Sequence, residues 1–261
     1  PENIKKHLRP NTKLVHVETP TNPLLELCDL EATSSICKEA GVLLSVDNTF
    51  MSPYGQRPLE YGVDVVMQSS TKSLSGHSDI LGGVLTTNND DLGEQIRFML
   101  KATGGVPSPF DNWILLRSVK TLSLRYQKSS ENAFKLAQWL STDYDLKRVI
   151  YPGLESHPQF EIAKKQQFTP DGNNIFGNMI SIDVEKIDLR DKFLEKLKVI
   201  TLAESLGGVE SLCCVPYDMT HAAVPVEDKI KMGITETLIR LSIGIENFED
   251  LKADLQNALA K

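Results

Sequence analysis

Short apolar segments alternate with helical segments through the first half of the sequence, and this alternation restricts the fold more than any other feature. The predicted elements, in chain order, are a strand at 13–18, a helix at 29–41, strands at 42–48, 62–70 and 81–88, and a helix at 90–105. Alternating strands and helices are typical of a parallel sheet covered by helices. The first half therefore predicts an α/β fold with a mostly parallel sheet.

The second half of the chain has a different pattern. An apolar-periodic stretch at 113–142 predicts one long helix or two in succession. The elements predicted after it are strands at 146–153, 178–184 and 237–246, a helix at 189–199, and a terminal helix at 247–261 with Asn247 as its N-cap. We predict two domains, a large domain over 1–118 and a smaller α+β domain over 119–261.

The charge balance excludes two classes of partner. The net charge is −7, whereas a nucleic-acid-binding surface or a protein that binds an anionic membrane surface requires a basic patch. No apolar run approaches the ~20 residues of a membrane-spanning helix. We therefore expect neither nucleic-acid nor membrane partners.

The cysteines and histidines do not form a metal-binding pattern. The four cysteines and five histidines have no paired ligand spacing. Adjacent cysteines such as Cys213 and Cys214, which we expect just after a strand, rarely bridge each other. We predict reduced thiols in a cytoplasmic protein without a metal site.

Lys72 follows a run of small hydroxyl residues at the end of a predicted strand, 62–70. A lysine amine becomes a useful nucleophile when burial or nearby positive charge lowers its pKa. Ligands of open α/β sheets bind beyond the carboxyl ends of the strands, where hydroxyls suit a phosphate. A Schiff base with an aldehyde cofactor is one role for Lys72, and an ordinary solvated loop lysine is the alternative.

Three more residues have patterns that suit a binding site. Asp47 ends an apolar strand, where a buried carboxylate needs a cation such as a protonated pyridine nitrogen, although it could simply cap the next segment. Asn22 lies between two prolines that stiffen its turn, or it forms an ordinary Asx turn. Arg240 lies in an apolar strand, which suits either a carboxylate clamp or a structural salt bridge.

Seven motifs, found in order along the chain, resemble one enzyme family. They are ETPTNP, VDNTFMSPY, STK followed by GHSD, PSPFD, TLAESLGGVESL, MTHA and LIRLSIGIE. Together they resemble the pyridoxal-phosphate enzymes of cysteine and methionine metabolism, the trans-sulfuration family, and within it the eukaryotic cystathionine gamma-lyases. The resemblance implies the fold type I architecture of these enzymes, with pyridoxal 5'-phosphate as the cofactor.

The resemblance also implies roles around the cofactor. Lys72 matches the lysine that bonds covalently to the cofactor and moves protons, and Asp47 matches the aspartate that pairs with the pyridine nitrogen. Ser69 and Thr71 match the hydroxyls that hold the phosphate. Asn22 matches a residue at the cofactor's ring hydroxyl that also contacts the substrate.

Three further residues match positions on the substrate side. Arg240 matches the residue that binds the substrate carboxylate. Ser205 lies where the family positions the lysine and the substrate. Glu204 lies where family members of different specificity diverge, and a glutamate there resembles the gamma-lyase type.

The implied reaction is cleavage of the sulfur-containing amino acid L-cystathionine to L-cysteine, 2-oxobutanoate and ammonia, with hydrogen sulfide release as a side activity. Cystathionine gamma-synthase, beta-lyase and methionine gamma-lyase are alternatives within the family, and a non-catalytic assembly protein is an alternative outside it. The family implies a homotetramer, a dimer of dimers, with each site completed by a neighbouring subunit. Family members carry a segment upstream of the position of Pro1, so we expect the chain to be a piece of a longer protein.

Overall fold

The computed structural model describes residues 1–260 and contains two β-sheets with helices packed against them. The helices are α1 (Glu2–His7), α2 (Leu30–Glu39), α3 (Ser52–Gly55), α4 (Asp90–Thr103), α5 (Pro109–Ser118), α6 (Leu122–Asp143), α7 (Phe160–Gln166), α8 (Ile187–Lys196), α9 (Val226–Met232) and α10 (Phe248–Leu259). The strands are β1 (Leu14–Glu18), β2 (Leu43–Asp47), β3 (Val65–Ser69), β4 (Gly83–Thr86), β5 (Arg148–Ile150), β6 (Met179–Asp183), β7 (Thr201–Leu202), β8 (Leu212–Cys214) and β9 (Leu238–Ser242).

The first sheet has the order β1-β2-β3-β4. Strands β1, β2 and β3 are parallel, and β4 is antiparallel to β3. Helix α2 connects β1 to β2 and starts at Asp29, whose side chain accepts a hydrogen bond from the Ala32 N–H. Its buried face packs on the strands through one apolar cluster, formed by Leu30, Cys37, Leu44, Val46, Val63 and Val66. The predicted α/β class with a mostly parallel sheet is confirmed.

The second sheet has the order β5-β6-β9-β8-β7, with β9 at its centre. Its strands pair antiparallel, except for β7 and β8. The main apolar core lies between this sheet and helices α6, α8 and α10, and it includes Leu136, Ile182, Phe193, Leu241 and Leu255. Strand β9 is therefore held rigidly, and this fixes the position of every side chain along it.

Several local predictions can be compared with these elements. The stretch at 113–142 forms two helices, α5 and α6, joined by a 3₁₀ turn at Val119–Thr121. Asn247 caps α10 by accepting a hydrogen bond from the Glu249 N–H at 2.8 Å, and Lys261, in the predicted terminal helix, lies outside the described residues. Cys213 and Cys214 lie within β8 rather than after a strand, because two small thiols can be buried within a covered sheet.

All four cysteines are free in the structure. Within residues 1–260, no helix combines the length and apolar character that crossing a membrane requires. The same residues contain no cluster of histidine, cysteine and acidic side chains that could hold a metal ion. The predicted domain boundary at residue 118 coincides with the last residue of α5 and stays a prediction.

Candidate active site

The carboxyl ends of β1, β2 and β3 meet at one edge of the first sheet because these strands are parallel. Their last residues are Glu18, Asp47 and Ser69, and Glu18 pairs in register with Asp47. All three line a cleft of about 1030 Å³ that extends across to β9 in the second sheet. A cleft beyond the carboxyl ends of parallel strands is the usual ligand position in an open α/β sheet.

All eight residues that the sequence singled out line this one cleft. They are Asn22, Asp47, Ser69, Thr71, Lys72, Glu204, Ser205 and Arg240. Their individual roles stay predictions. Six further polar residues of the wall carry no role predicted from the sequence, and they are Glu18, Thr49, Ser78, Asp79, Asp111 and Thr220.

Lys72 lies in the single helical turn Ser70–Leu74, directly after β3. Its side chain is half-buried rather than solvated, and Nζ has no hydrogen-bond or ion-pair partner among residues 1–260. Burial, and to a smaller degree the positive charge of Arg240, lowers the pKa of the amine. A lowered pKa increases the neutral, nucleophilic fraction of the amine at neutral pH.

Gly207 holds the second-sheet side of the cleft against the lysine turn. Its φ is +75°, and a Cβ atom there would come within 2.9 Å of the Ser73 nitrogen and 3.4 Å of the Lys72 Cβ. Its N–H donates to the Ser242 hydroxyl in β9 at 2.9 Å. Only glycine combines this conformation with this contact, so the glycine in AESLGG serves close packing against Lys72.

Arg125 fixes the turn that carries Lys72. This buried residue of α6 donates from Nη1 to the Ser73 carbonyl at 2.8 Å, and from Nη2 to the carbonyls of Leu74 and Ser118 at 3.2 and 3.0 Å. One guanidinium thus donates to three backbone carbonyls, of which that of Ser118 also accepts from the Thr121 hydroxyl. No local sequence pattern predicts these contacts, because Ser73 and Leu74 lie 52 and 51 residues away.

We expect Arg125→Met to destabilise the protein by about 2–4 kcal/mol, because it leaves buried carbonyls unpaired. Urea denaturation measures the change in the free energy of unfolding. Arg117→Met is the matched control, since Arg117 is exposed on α5, and we expect it to change stability by less than about 0.5 kcal/mol. Equal stability changes in the two variants would contradict the structural role of Arg125.

A short hydrogen-bonded relay links the ends of β2 and β3. The Thr49 N–H donates to Asp47 Oδ1 at 2.9 Å, and the Thr49 hydroxyl accepts from the Ser69 N–H at 2.9 Å. The Thr71 hydroxyl accepts from the Gly82 N–H at 3.0 Å, while its own proton makes only a long 3.4 Å contact. The Thr71 proton is therefore free to turn towards an anion in the cleft.

Arg240 crosses from the second sheet into the cleft, and the residue is only 1% exposed. Its Nη1 donates to Asn22 Oδ1 at 3.0 Å, and its Nη2 donates to the carbonyls of Glu204 and Ser205 at 2.7 and 3.3 Å. Its Nε is buried and has no partner among residues 1–260. No carboxylate among residues 1–260 pairs with Arg240, so within these residues the guanidinium is a buried cation available to an anionic ligand.

Comparison with known protein families gives one match over almost the whole chain. The family described as Cys/Met metabolism PLP-dependent enzyme matches residues 1–260. Cystathionine gamma-lyase of Dictyostelium discoideum is 49% identical over 261 residues, which are 100% of this chain and 66% of that protein. Cystathionine beta-lyase of Coxiella burnetii is 48% identical over 259 residues, 98% of this chain and 65% of that protein.

Solved structures give the same result for the fold. Cystathionine gamma-lyase from Lactobacillus plantarum, complexed with L-serine, superimposes with a TM-score of 0.93 at 42% identity and covers 98% of this chain and 65% of its own. Cystathionine gamma-synthase from Xanthomonas oryzae pv. oryzae, in complex with cystathionine, has a TM-score of 0.90 at 43% identity, with 95% and 62% covered. The chain thus spans about two thirds of the length of the relatives it matches.

Proposed function

The chain belongs to the Cys/Met metabolism PLP-dependent enzyme family, and from this premise we propose that it acts as a carbon–sulfur lyase that cleaves L-cystathionine to L-cysteine, 2-oxobutanoate and ammonia. The observation that carries the proposal is the convergence of Lys72, Asp47 and Arg240 on one cleft. A nucleophilic amine, a carboxylate and a buried guanidinium are the groups that an amino-acid reaction on this cofactor requires.

The gamma-lyase reaction is proposed ahead of the beta-lyase reaction because of Glu204. Its side chain lines the cleft, beside the carbonyl contacts that hold Arg240. Overall identity does not separate the two reactions, since the Dictyostelium gamma-lyase and the Coxiella beta-lyase are 49% and 48% identical to this chain. Hydrogen sulfide release from cysteine or homocysteine is proposed as a side activity of the same site.

The groups in the cleft fit pyridoxal phosphate. Asp47 and Glu18 have no cationic ion-pair partner among residues 1–260, so the carboxylates suit the positive ring nitrogen. Ser69 and Thr71, at the end of β3, suit the phosphate. Lys72 would hold the cofactor's aldehyde carbon, and Asn22, fixed by Arg240, would face the ring hydroxyl.

When bound, pyridoxal phosphate supplies a carbonyl for the substrate amine and a sink for electrons from the substrate's Cα. Arg240 would bind the substrate carboxylate through its unpartnered Nε, while its other nitrogens keep the guanidinium oriented. Lys72 Nζ would accept the proton from Cα and pass it on to the cofactor, which would leave the amine neutral again. In a gamma cleavage it would take a second proton from Cβ before the thiol leaves Cγ.

Product analysis tests the proposed reaction. Purified protein, pyridoxal phosphate and L-cystathionine are incubated, and the keto acid and the amino thiol are identified by mass spectrometry. We expect 2-oxobutanoate with cysteine. Pyruvate with homocysteine would assign a beta-lyase instead, and formation of cystathionine from an activated homoserine and cysteine would assign a synthase. Failure to bind the cofactor at all would favour the non-catalytic assembly protein.

A homotetramer with sites shared between subunits is also proposed. Supporting it is an exposed apolar surface on α4 and α5, where Phe98, Phe110, Trp113 and Leu116 are 68%, 65%, 60% and 67% exposed. The rings of Phe110 and Trp113, both on α5, stack with centroids 6.1 Å apart. Large exposed apolar patches mark interaction surfaces. Sedimentation velocity measures the assembly, and a monomer at all concentrations would contradict it.

A further inference from the structure

Glu18 is a second acidic side chain at the end of the strands that support the site. It pairs in register with Asp47 across the parallel strands β1 and β2. Paired residues of parallel strands point to the same side of the sheet, and neighbouring strands lie about 4.8 Å apart. Both side chains line the cleft. Two carboxyl groups are therefore presented side by side to whatever the cleft binds.

The surroundings of Glu18 connect it with the rest of the site. The backbone of Asn22, the residue whose side chain accepts from Arg240, lies near the Glu18 carboxyl and partly offsets the rise in its pKa. Glu18 is exposed as a residue, at the end of the edge strand β1, and it faces the cleft. Burial, followed by the negative charge of Asp47, raises the pKa of the Glu18 carboxyl to about 7.

The other titratable groups near Glu18 are distributed over several elements. They are His16 on β1, Lys72 after β3, Arg240 on β9, the acids Asp79, Asp111 and Glu204 on the cleft wall, and His221 near the Asn22 backbone. Burial lowers the pKa values of Lys72 and His221. None of these cations forms an ion pair with Glu18 within residues 1–260, so Glu18 is left for a cationic ligand.

We propose that Glu18 is a positioning residue of the cofactor site, forming with Asp47 a carboxyl pair that balances the positive ring nitrogen. This inference rests on the proposed cofactor site and not on which sulfur amino acid is cleaved. It assigns to the first residue of the ETPTNP motif a function that is distinct from that of Asn22.

The carboxyl pair should make the affinity for the cofactor increase as the pH rises. In the free site, the Glu18 carboxyl is protonated below about pH 7 and charged above it. A nearby positive charge lowers a carboxyl pKa by about 1–3 units. Because the bound cation prefers the charged form of Glu18, its contribution to affinity is largest above pH 7 and is lost as the pH falls.

The test measures the dissociation constant of pyridoxal phosphate for the wild-type and Glu18→Gln proteins between pH 5.5 and 8.5, by fluorescence quenching. We expect Glu18→Gln to bind about tenfold more weakly at pH 8, and the gap to shrink to about twofold near pH 6. Glu39→Gln is the matched control, because Glu39 is exposed at the end of α2, away from the cleft. It should bind like the wild type at every pH.

A Glu18→Asp variant keeps a carboxyl group and guards against misfolding of the glutamine variant. We expect its affinity, relative to the wild-type protein, to change little across this pH range. The proposal would be overturned if the ratio of the Glu18→Gln to the wild-type dissociation constant did not change with pH, or if the two proteins bound pyridoxal phosphate equally at pH 8. Tight cofactor binding with no cleavage of any sulfur amino acid would instead overturn the proposed reaction and leave this result valid.

Discussion

Replacing Lys72 with alanine is expected to lower kcat for cystathionine cleavage by at least about 10³-fold, since positioned proton transfer alone contributes 10²–10⁴-fold. Lys72 is the one amine on the cleft wall among residues 1–260. Its lowered pKa and unpaired Nζ suit both covalent attachment and proton transfer. Keto-acid release measures the rate. Borohydride reduction followed by peptide mapping should find a pyridoxyl adduct on the wild-type peptide and none on the variant peptide.

Two further variants separate chemistry from charge. Lys72→Arg keeps a positive charge but offers no neutral amine, so we expect it to be as inactive as the alanine variant. Lys38→Ala removes an exposed lysine of α2 and should leave both the rate and the adduct unchanged. An adduct that persists on another lysine in Lys72→Ala, with activity retained, would show the assignment of Lys72 to be wrong.

The residues that follow directly from the sheet could be predicted from the sequence. Asp47 and Ser69 end apolar runs, and parallel pairing brings their strand ends together. Glu18 follows the same rule at the end of β1, whereas the prolines of ETPTNP indicate only Asn22. Comparing the last residues of all three predicted strands would have found Glu18.

The second half of the site could not be located from local patterns. Arg240 meets Asn22, which lies 218 residues away, and the carbonyls of Glu204 and Ser205, which lie 36 and 35 residues away. Such contacts leave no pattern in the sequence. Backbone carbonyls accept a hydrogen bond from a guanidinium whatever side chains the loop carries. Strand β7 was not predicted, and β8 was expected only as an unbounded strand before Cys213, since with two and three residues these strands are too short to display alternation.

Replacing Arg240 with lysine is the second substitution from which we expect a large effect. Arginine here uses Nη1 and Nη2 to contact one side chain and two carbonyls and keeps Nε for a ligand. A lysine ammonium is a single point donor and cannot make these contacts together. Because a hydrogen bond to a charged group contributes about 1.5–3 kcal/mol, we expect KM for cystathionine to rise about 10–100-fold, with a smaller change in kcat.

A second substrate, which lacks the carboxylate, tests whether the rise in KM comes from a lost contact between Arg240 and the substrate carboxylate. The analogue is cystathionine in which the α-carboxylate of the four-carbon half, the half that would become 2-oxobutanoate, is replaced by a carboxamide. With it, the wild-type and Arg240→Lys proteins should have KM values within about threefold of each other, because neither can form the charged pair. Arg97→Lys, at an exposed ion pair with Glu94 on α4, is the control and should behave as wild type. Circular dichroism verifies that Arg240→Lys is folded. If both substrates lost affinity equally, Arg240 would only support the cleft wall, through Asn22 and the loop carbonyls, and the substrate carboxylate would bind elsewhere.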